Sequence, residues 1–96
     1  MTTYFVTRHA GAVEWLQRRG IEAAIIEHLD PGQVRPGDVV LGTLPVHVVA
    51  ALNTKGARFK HLGYDTPSAL RGKELSADDL DRLGARLVEY RVERVE

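Results

Sequence analysis

The feature that most constrains the fold is an alternation of short β-branched and aromatic runs with segments of helical spacing. Runs of that composition, bounded by Gly, Pro and Asp, are typical of strands. Four strands are predicted on this basis, over residues 3–8, 23–29, 38–43 and 57–64. The third run is almost entirely apolar, which suits a central strand covered on both faces. The fourth is polar enough to predict an edge strand.

Three helices are predicted between and after these strands. Apolar residues three or four apart mark them, together with glycine stops, a proline start and a capping-box pattern. They are expected over 11–19, from Pro45 to about Thr54, and from Ser76 to about Arg94. The order β-α-β-β-α-β-α favours a three-layer α/β fold with a mostly parallel four-stranded sheet of order 2-1-3-4. An antiparallel second strand fits as well, because the link from strand 2 to strand 3 holds no helix.

Composition excludes several classes of protein. The 96 residues predict one domain over 1–96, and 13 basic side chains balance 13 acidic ones. This neutral balance argues against a non-specific binder of long DNA or RNA. The absence of cysteine excludes disulfides, thiolate zinc sites and cysteine nucleophiles. No apolar run approaches the ~20 residues that cross a bilayer, and no signal peptide is recognisable. We expect a cytoplasmic protein with no membrane partner.

Two turns at the carboxyl ends of predicted strands carry the residues best suited to chemistry. Thr7-Arg8-His9-Ala10-Gly11-Ala12 leaves strand 1, and Gly42-Thr43-Leu44-Pro45 leaves strand 3. Neighbouring strands 1 and 3 would bring these turns together at a crevice, the usual ligand position in open α/β sheets. Arginine matches phosphate geometry, histidine exchanges protons near neutral pH, and small residues at a helix start let backbone N–H groups approach an anion. The turns therefore predict a phosphate site.

Other residues support this site less directly. His47 lies in the first turn of the predicted second helix, near the crevice. Residues 55–73 hold five cations, Arg71 and Lys73 among them, against one acid. Such a local basic zone attracts small anions, although it is equally typical of a solvated loop. No two histidines stand four apart and no HExxH motif occurs, so neither a metal nor a cofactor is expected.

Three segments together resemble a family of small stand-alone proteins encoded beside type III CRISPR systems. They are Tyr4–Leu16, Gly37–Val46 and Leu70–Asp79. The resemblance implies a Rossmann-like fold related to CARF sensor domains, and a homodimer with its ligand at the dimer interface. It also implies a ring nuclease that cuts cyclic oligoadenylate, typically cyclic tetra-adenylate, without a metal, by attack of the ribose 2′-OH to leave a 2′,3′-cyclic phosphate.

We assign roles within that reading by position in the predicted crevice. Arg8 is expected to stabilise the scissile phosphate, and His9 to act as general acid or base. The remaining candidates are expected to bind substrate, with the last two on a loop that closes over the ring. They are Thr7, Gly11, Gly42, Thr43, Leu44, His47, Arg71 and Lys73.

Three other functions fit parts of the sequence. The same crevice could bind a cyclic nucleotide without cutting it, as a sensor or sponge. A histidine phosphatase also has Arg-His after its first strand, but Ala10 stands where that family has glycine, and the chain is short for its second histidine region. A purely structural interaction protein is the third. Incubation with cyclic tetra-adenylate in EDTA separates a binding protein from a nuclease, and a phosphohistidine intermediate would identify a phosphatase.

Overall fold

The structure is a computed structural model that describes residues 1–66 and 72–96. In these residues five strands and three α-helices alternate, with a 3₁₀ turn at Pro31–Gln33. The strands are β1 (Thr3–Val6), β2 (Ala24–Ile26), β3 (Val39–Gly42), β4 (Arg58–Gly63) and β5 (Arg86–Tyr90). The helices are α1 (Ala10–Arg18), α2 (Val46–Thr54) and α3 (Ala77–Arg82). The first four strands and first two helices lie where the sequence predicts them, with no end shifted by more than three residues.

The strands form one mixed sheet of order β2-β1-β3-β4-β5. The first four strands run parallel in the predicted order 2-1-3-4, so the parallel choice for strand 2 is the right one. Val6 stands opposite both Ile26 and Gly42, and Gly42 stands opposite His61. The carboxyl ends of the parallel strands therefore finish at the same edge of the sheet.

The prediction of a long last helix is wrong, because α3 ends at Arg82 and a fifth strand follows. After Leu83, the Gly84 N–H donates to the Asp81 carbonyl at 3.2 Å and the Ala85 N–H donates to the Leu80 carbonyl at 2.9 Å. This pair of hydrogen bonds is a Schellman motif, which needs a residue of positive φ, and Gly84 supplies it at +73°. The chain then reverses into β5, which pairs antiparallel with β4.

The polar composition of the fourth strand predicts an edge strand, and this prediction is wrong, because β4 lies between β3 and β5. β5 covers it, and Arg58 on β4 forms a bidentate ion pair with Glu89 on β5, with N–O distances of 2.6 and 2.9 Å. The charges of an arginine and a carboxylate on adjacent strands compensate each other. A strand with polar residues can therefore lie between two other strands of the sheet. The sheet edges are β2 and β5.

Helices pack on both faces of the sheet and form a three-layer structure. On one face α1 and α3 pack together over Phe5 and Leu41, and on the other α2 covers Val40 and Phe59. The alternation of Val40 with its neighbour Leu41 between the two faces follows from the two-residue period of a strand. Within the described ranges, every helix is too short or too polar to span a bilayer.

Trp15 on α1 anchors the layer formed by α1 and α3. Its side chain is 1% exposed, and its indole Nε1 donates to the Asp81 carboxylate at 3.0 Å. The Arg19 guanidinium lies 4.2 Å from the ring centroid and also pairs with Asp81. Because the tryptophan is buried with its polar atom satisfied, it serves the core.

Candidate functional site

A cleft of about 590 Å³ lies at the edge where the parallel strands end. Residues that follow each of the four parallel strands line it, as does the segment that leads into α3. Its polar wall is formed by Thr7, Arg8, His9, Glu27, Gly42, Thr43, Tyr64 and Lys73, and its apolar floor includes Phe5, Leu62, Leu75 and Leu80. The two turns singled out in the sequence thus share one cleft, as neighbouring β1 and β3 require.

The first turn is held in shape by a local hydrogen bond. The His9 amide donates to the Thr7 hydroxyl at 3.1 Å, and His9 is the N-cap residue of α1. Its extended backbone, with φ −103° and ψ 119°, leaves its own carbonyl to accept from Ala12 and Val13. Arg8 therefore stands between a closed turn and the positive end of a helix, where an anion is favoured.

The second turn depends on Gly42, which has a φ of +138°. A Cβ at this position would lie 2.7 Å from the Val6 carbonyl oxygen, so a larger residue would push β1 and β3 apart. The next residue, Thr43, donates its hydroxyl proton to the Leu62 carbonyl at 3.3 Å. A hydroxyl oxygen used as a donor can still accept, so Thr43 offers the cleft an acceptor in a fixed position.

The charge of the cleft is mixed, with Arg8 and Lys73 set against Glu27. Within 1–66 and 72–96 Arg8 has no ion-pair partner, and Lys73 has none either. Four other arginines in the same ranges, Arg18, Arg19, Arg58 and Arg82, pair with carboxylates, whereas Arg35, Arg86, Arg91 and Arg94 do not. Arg8 is thus a cation without a carboxylate neighbour in the described chain, and it faces the cleft.

His9 has an acidic partner, Glu74, that no pattern in the sequence singles out. Its Nδ1 lies 3.1 and 3.2 Å from the two carboxylate oxygens of Glu74. The two residues are 65 positions apart, and each side chain is 66% exposed. The pair links the start of α1 to the segment that carries Lys73.

Three of the predicted site residues lie away from the cleft, and one lies outside the described residues. Gly11 packs against the Leu75 backbone, and Leu44 packs into the core beneath α2. His47 lines a second cleft, between α2 and residues 92–96. Arg71 falls in the stretch 67–71, of which the structure describes nothing.

Glu27, Tyr64 and Glu74 are site residues that sequence reasoning missed. Glu27 directly follows β2 and Tyr64 directly follows β4, so the rule that selected Arg8 and Gly42 would also have found them. Glu74 does not follow a strand and could not be found by this rule. It lies in an irregular segment, and only the tertiary fold brings it to His9. Among the residues described, no three His, Asp or Glu side chains gather where they could hold a metal ion.

Comparison with known proteins places the chain in a family. A search of curated proteins and a search of solved structures each returned no match. A family model described as "Putative CRISPR-associated protein (Cas_VVA1548)" matches residues 4–93. That match spans nearly the whole chain and includes every segment that lines the cleft. The chain therefore belongs to this family of CRISPR-associated proteins.

Proposed function

We propose that this protein is a ring nuclease that binds and cleaves cyclic oligoadenylate in the cleft at the ends of β1 and β3. The observation that carries the proposal is the convergence of Arg8, His9, Gly42 and Thr43 on one cleft in a CRISPR-associated protein. The parallel order of the first four strands supports the Rossmann-like, CARF-related fold that the sequence resemblance implies.

Binding is expected to rest on phosphate charge and adenine surface together. Arg8 and Lys73 supply cations, and the start of α1 supplies backbone N–H groups with partial positive charge. Among the apolar residues that line the cleft, half-buried Val6 and Leu75 keep exposed surface on which an adenine can lie. The acidic Glu27 opposes a fully anionic ligand, so a ring that presents both bases and phosphates fits this cleft better than free phosphate does.

A homodimer would match the symmetry of such a ligand. A ring of four adenylates carries four phosphates related by rotation, and a two-fold dimer presents every contact twice. Two copies of Arg8 and Lys73 would then meet one ring. We expect dimerisation to bring two clefts to a common mouth, so that each protomer cuts one half of the ring.

The cut requires no more than positioning, charge stabilisation and proton transfer. The ribose 2′-oxygen bonds to the adjacent phosphorus and loses its proton, while the bond from phosphorus to the 5′-oxygen breaks and that oxygen gains a proton. The products are a 2′,3′-cyclic phosphate and a free 5′-hydroxyl. Arg8 would stabilise the added charge on the phosphoryl oxygens, an effect of about 3–4 kcal/mol for comparable donors. His9 would transfer a proton, which contributes about 10²–10⁴-fold.

Incubation of the purified protein with labelled cyclic tetra-adenylate tests the proposal. The reaction is run in EDTA and in Mg²⁺, and mass spectrometry identifies the ends of the products. We expect cleavage in both buffers and a 2′,3′-cyclic phosphate end. A ring that binds and stays intact would overturn the nuclease and favour a sensor or sponge. A ring that neither binds nor breaks would overturn both.

A further inference from the structure

The contact between His9 and Glu74 determines which nitrogen of the histidine faces a partner. Both carboxylate oxygens lie within hydrogen-bond distance of Nδ1, at 3.1 and 3.2 Å. Within the described residues, the His9 ring forms hydrogen bonds only through Nδ1, and only with Glu74. A carboxylate only accepts hydrogen bonds, so the proton of the neutral ring belongs on Nδ1. The Nε2 atom is then left with a lone pair.

The backbone on both sides of this pair is held by other contacts. His9 is fixed as the N-cap of α1, as described above. On the other side, Ser76 and Asp79 form a complete capping box that fixes the start of α3 two residues after Glu74. Arg18 at the end of α1 bonds Asp78 in the first turn of α3 at 2.7 Å, and Gly11 at the start of α1 packs against the Leu75 backbone. The approach of Glu74 to His9 thus follows from the packing of α1 on α3.

We propose that Glu74 is a positioning residue that sets His9 as a proton acceptor at Nε2. The inference rests on the proposed function and deepens it, because it assigns His9 the base role in the first step. Nε2 takes the proton that the 2′-hydroxyl releases as the new bond to phosphorus forms. The 5′-oxygen takes its proton from water, and the imidazolium returns its own to solvent. Glu74 stabilises that imidazolium without touching the substrate.

The tautomer of His9 is measurable by ¹⁵N NMR of the histidine rings in the intact protein, without substrate. At an alkaline pH, where histidines are neutral, we expect the Nδ1–H form to predominate at His9. Glu74→Ala should lower the ratio of Nδ1–H to Nε2–H by about threefold or more, because the neutral ring loses a hydrogen bond to a charged acceptor. Glu74→Gln should keep most of the preference, because its amide oxygen still accepts from Nδ1.

Two references make this spectrum decisive. Exposed His28 lies outside the cleft and reports the tautomer ratio of an unconstrained histidine in the same sample. Glu22→Ala removes another exposed acid, from the loop before β2, and should leave the His9 ratio unchanged. If His9 resembles His28 in the unaltered protein, or if Glu74→Ala does not shift it, the inference is wrong.

Cleavage assays complete the test. Glu74→Ala should slow cleavage of cyclic tetra-adenylate roughly tenfold, which is less than the loss expected for His9→Ala, and Glu74→Gln should recover part of it. A normal rate for Glu74→Ala together with a shifted tautomer would also contradict the role in proton transfer. If the unaltered protein cuts no ring while the tautomer behaves as expected, the failure lies with the proposed function, and the positioning of His9 by Glu74 stands.

Discussion

Gly11 and Leu75 approach so closely that a Cβ on the glycine would lie 2.0 Å from the leucine carbonyl oxygen. This contact seats the start of α1 directly against the segment that leads into α3. The residue before Leu75 is Glu74, the partner of His9, and the one before that is Lys73, which lines the cleft. Gly11, predicted from the sequence to bind substrate, therefore acts on the site through packing and does not itself line the cleft.

Replacement of this glycine tests the packing. Alanine is better than glycine in an unhindered helix by about 1 kcal/mol, so Gly11→Ala would stabilise α1 if space allowed. Because the Leu75 carbonyl belongs to the backbone, we expect a loss of about 1–3 kcal/mol instead, measured by urea unfolding. Gly32→Ala is the control, since a Cβ there meets only the Asp30 side chain. A more stable Gly11→Ala would refute the close contact.

Arg8 is expected to contribute to both ring binding and cleavage. Arg8→Ala should weaken the affinity for cyclic tetra-adenylate about tenfold or more and lower the single-turnover rate by about 10²-fold or more. Arg8→Lys should recover only part of both, because lysine lacks the planar fork. The matched control is Arg35→Ala, which removes the same charge from the turn before β3, at the opposite end of that strand. Unchanged affinity in Arg8→Ala would count against the site.

Replacement of His9 is expected to slow cleavage of the ring while leaving its binding largely intact. His9→Ala should keep most of the affinity for the ring and lose about 10²–10⁴-fold in single-turnover rate, the usual contribution of a proton-transfer group. His47→Ala should have no comparable effect, because His47 lines the second cleft beside α2. Cleavage by His9→Ala at the rate of the unaltered protein would remove His9 from the mechanism.

Asp38 is a buried carboxylate that stabilises the amino end of β3. Its side chain accepts from the backbone N–H groups of Arg35 and Thr2, each at 2.9 Å, and the Arg35 bond is the first cause that holds the pKa of this carboxyl below its ordinary value. A carboxyl with a lowered folded pKa contributes stability above its unfolded value of about 3.9. That contribution is lost as the pH falls through the folded pKa.

The Asp38→Asn variant isolates this contribution. Asparagine presents an NH₂ group toward one of the two N–H donors, so the variant should unfold at lower urea concentration at pH 7. The difference in midpoint between the two proteins should shrink as the pH falls below about 4, since a protonated Asp38 resembles asparagine. Other carboxyls of lowered pKa, Asp79 and Glu89, are common to both proteins and cancel in the comparison. A difference in urea midpoint that stays constant down to low pH would contradict the stabilising role of the Asp38 carboxylate.

Local sequence signals were sufficient for most of the fold and failed at one place. Gly20 and Gly56 were recognised as the ends of α1 and α2, and Gly84 ends α3 with the same motif. The spacing of Leu80, Leu83 and Leu87 imitates a helix, and it outweighed the glycine and the alternating strand that follows. The helical spacing is fortuitous, because Leu87 lies on β5 opposite Leu62.

Only the site residues that lie at the ends of strands could be predicted from the sequence. The topology rule brought Arg8, His9, Gly42 and Thr43 to one cleft, because register along parallel strands is determined by their pairing. It did not locate His47, whose direction depends on how α2 turns away after Pro45. Nor could it find Glu74, because a contact across 65 residues is set by helix packing and leaves no periodic pattern in the chain.

Chemical-shift mapping with the intact ring tests the central claim most directly. The His9→Ala variant is titrated with cyclic tetra-adenylate, so that the ligand survives, and backbone amides are followed by ¹H–¹⁵N NMR. We expect the largest shifts at Thr7, Gly42, Thr43 and Lys73, which line the cleft at the strand ends. Shifts centred on α2 and residues 92–96, or no shifts at saturating ligand, would contradict the account.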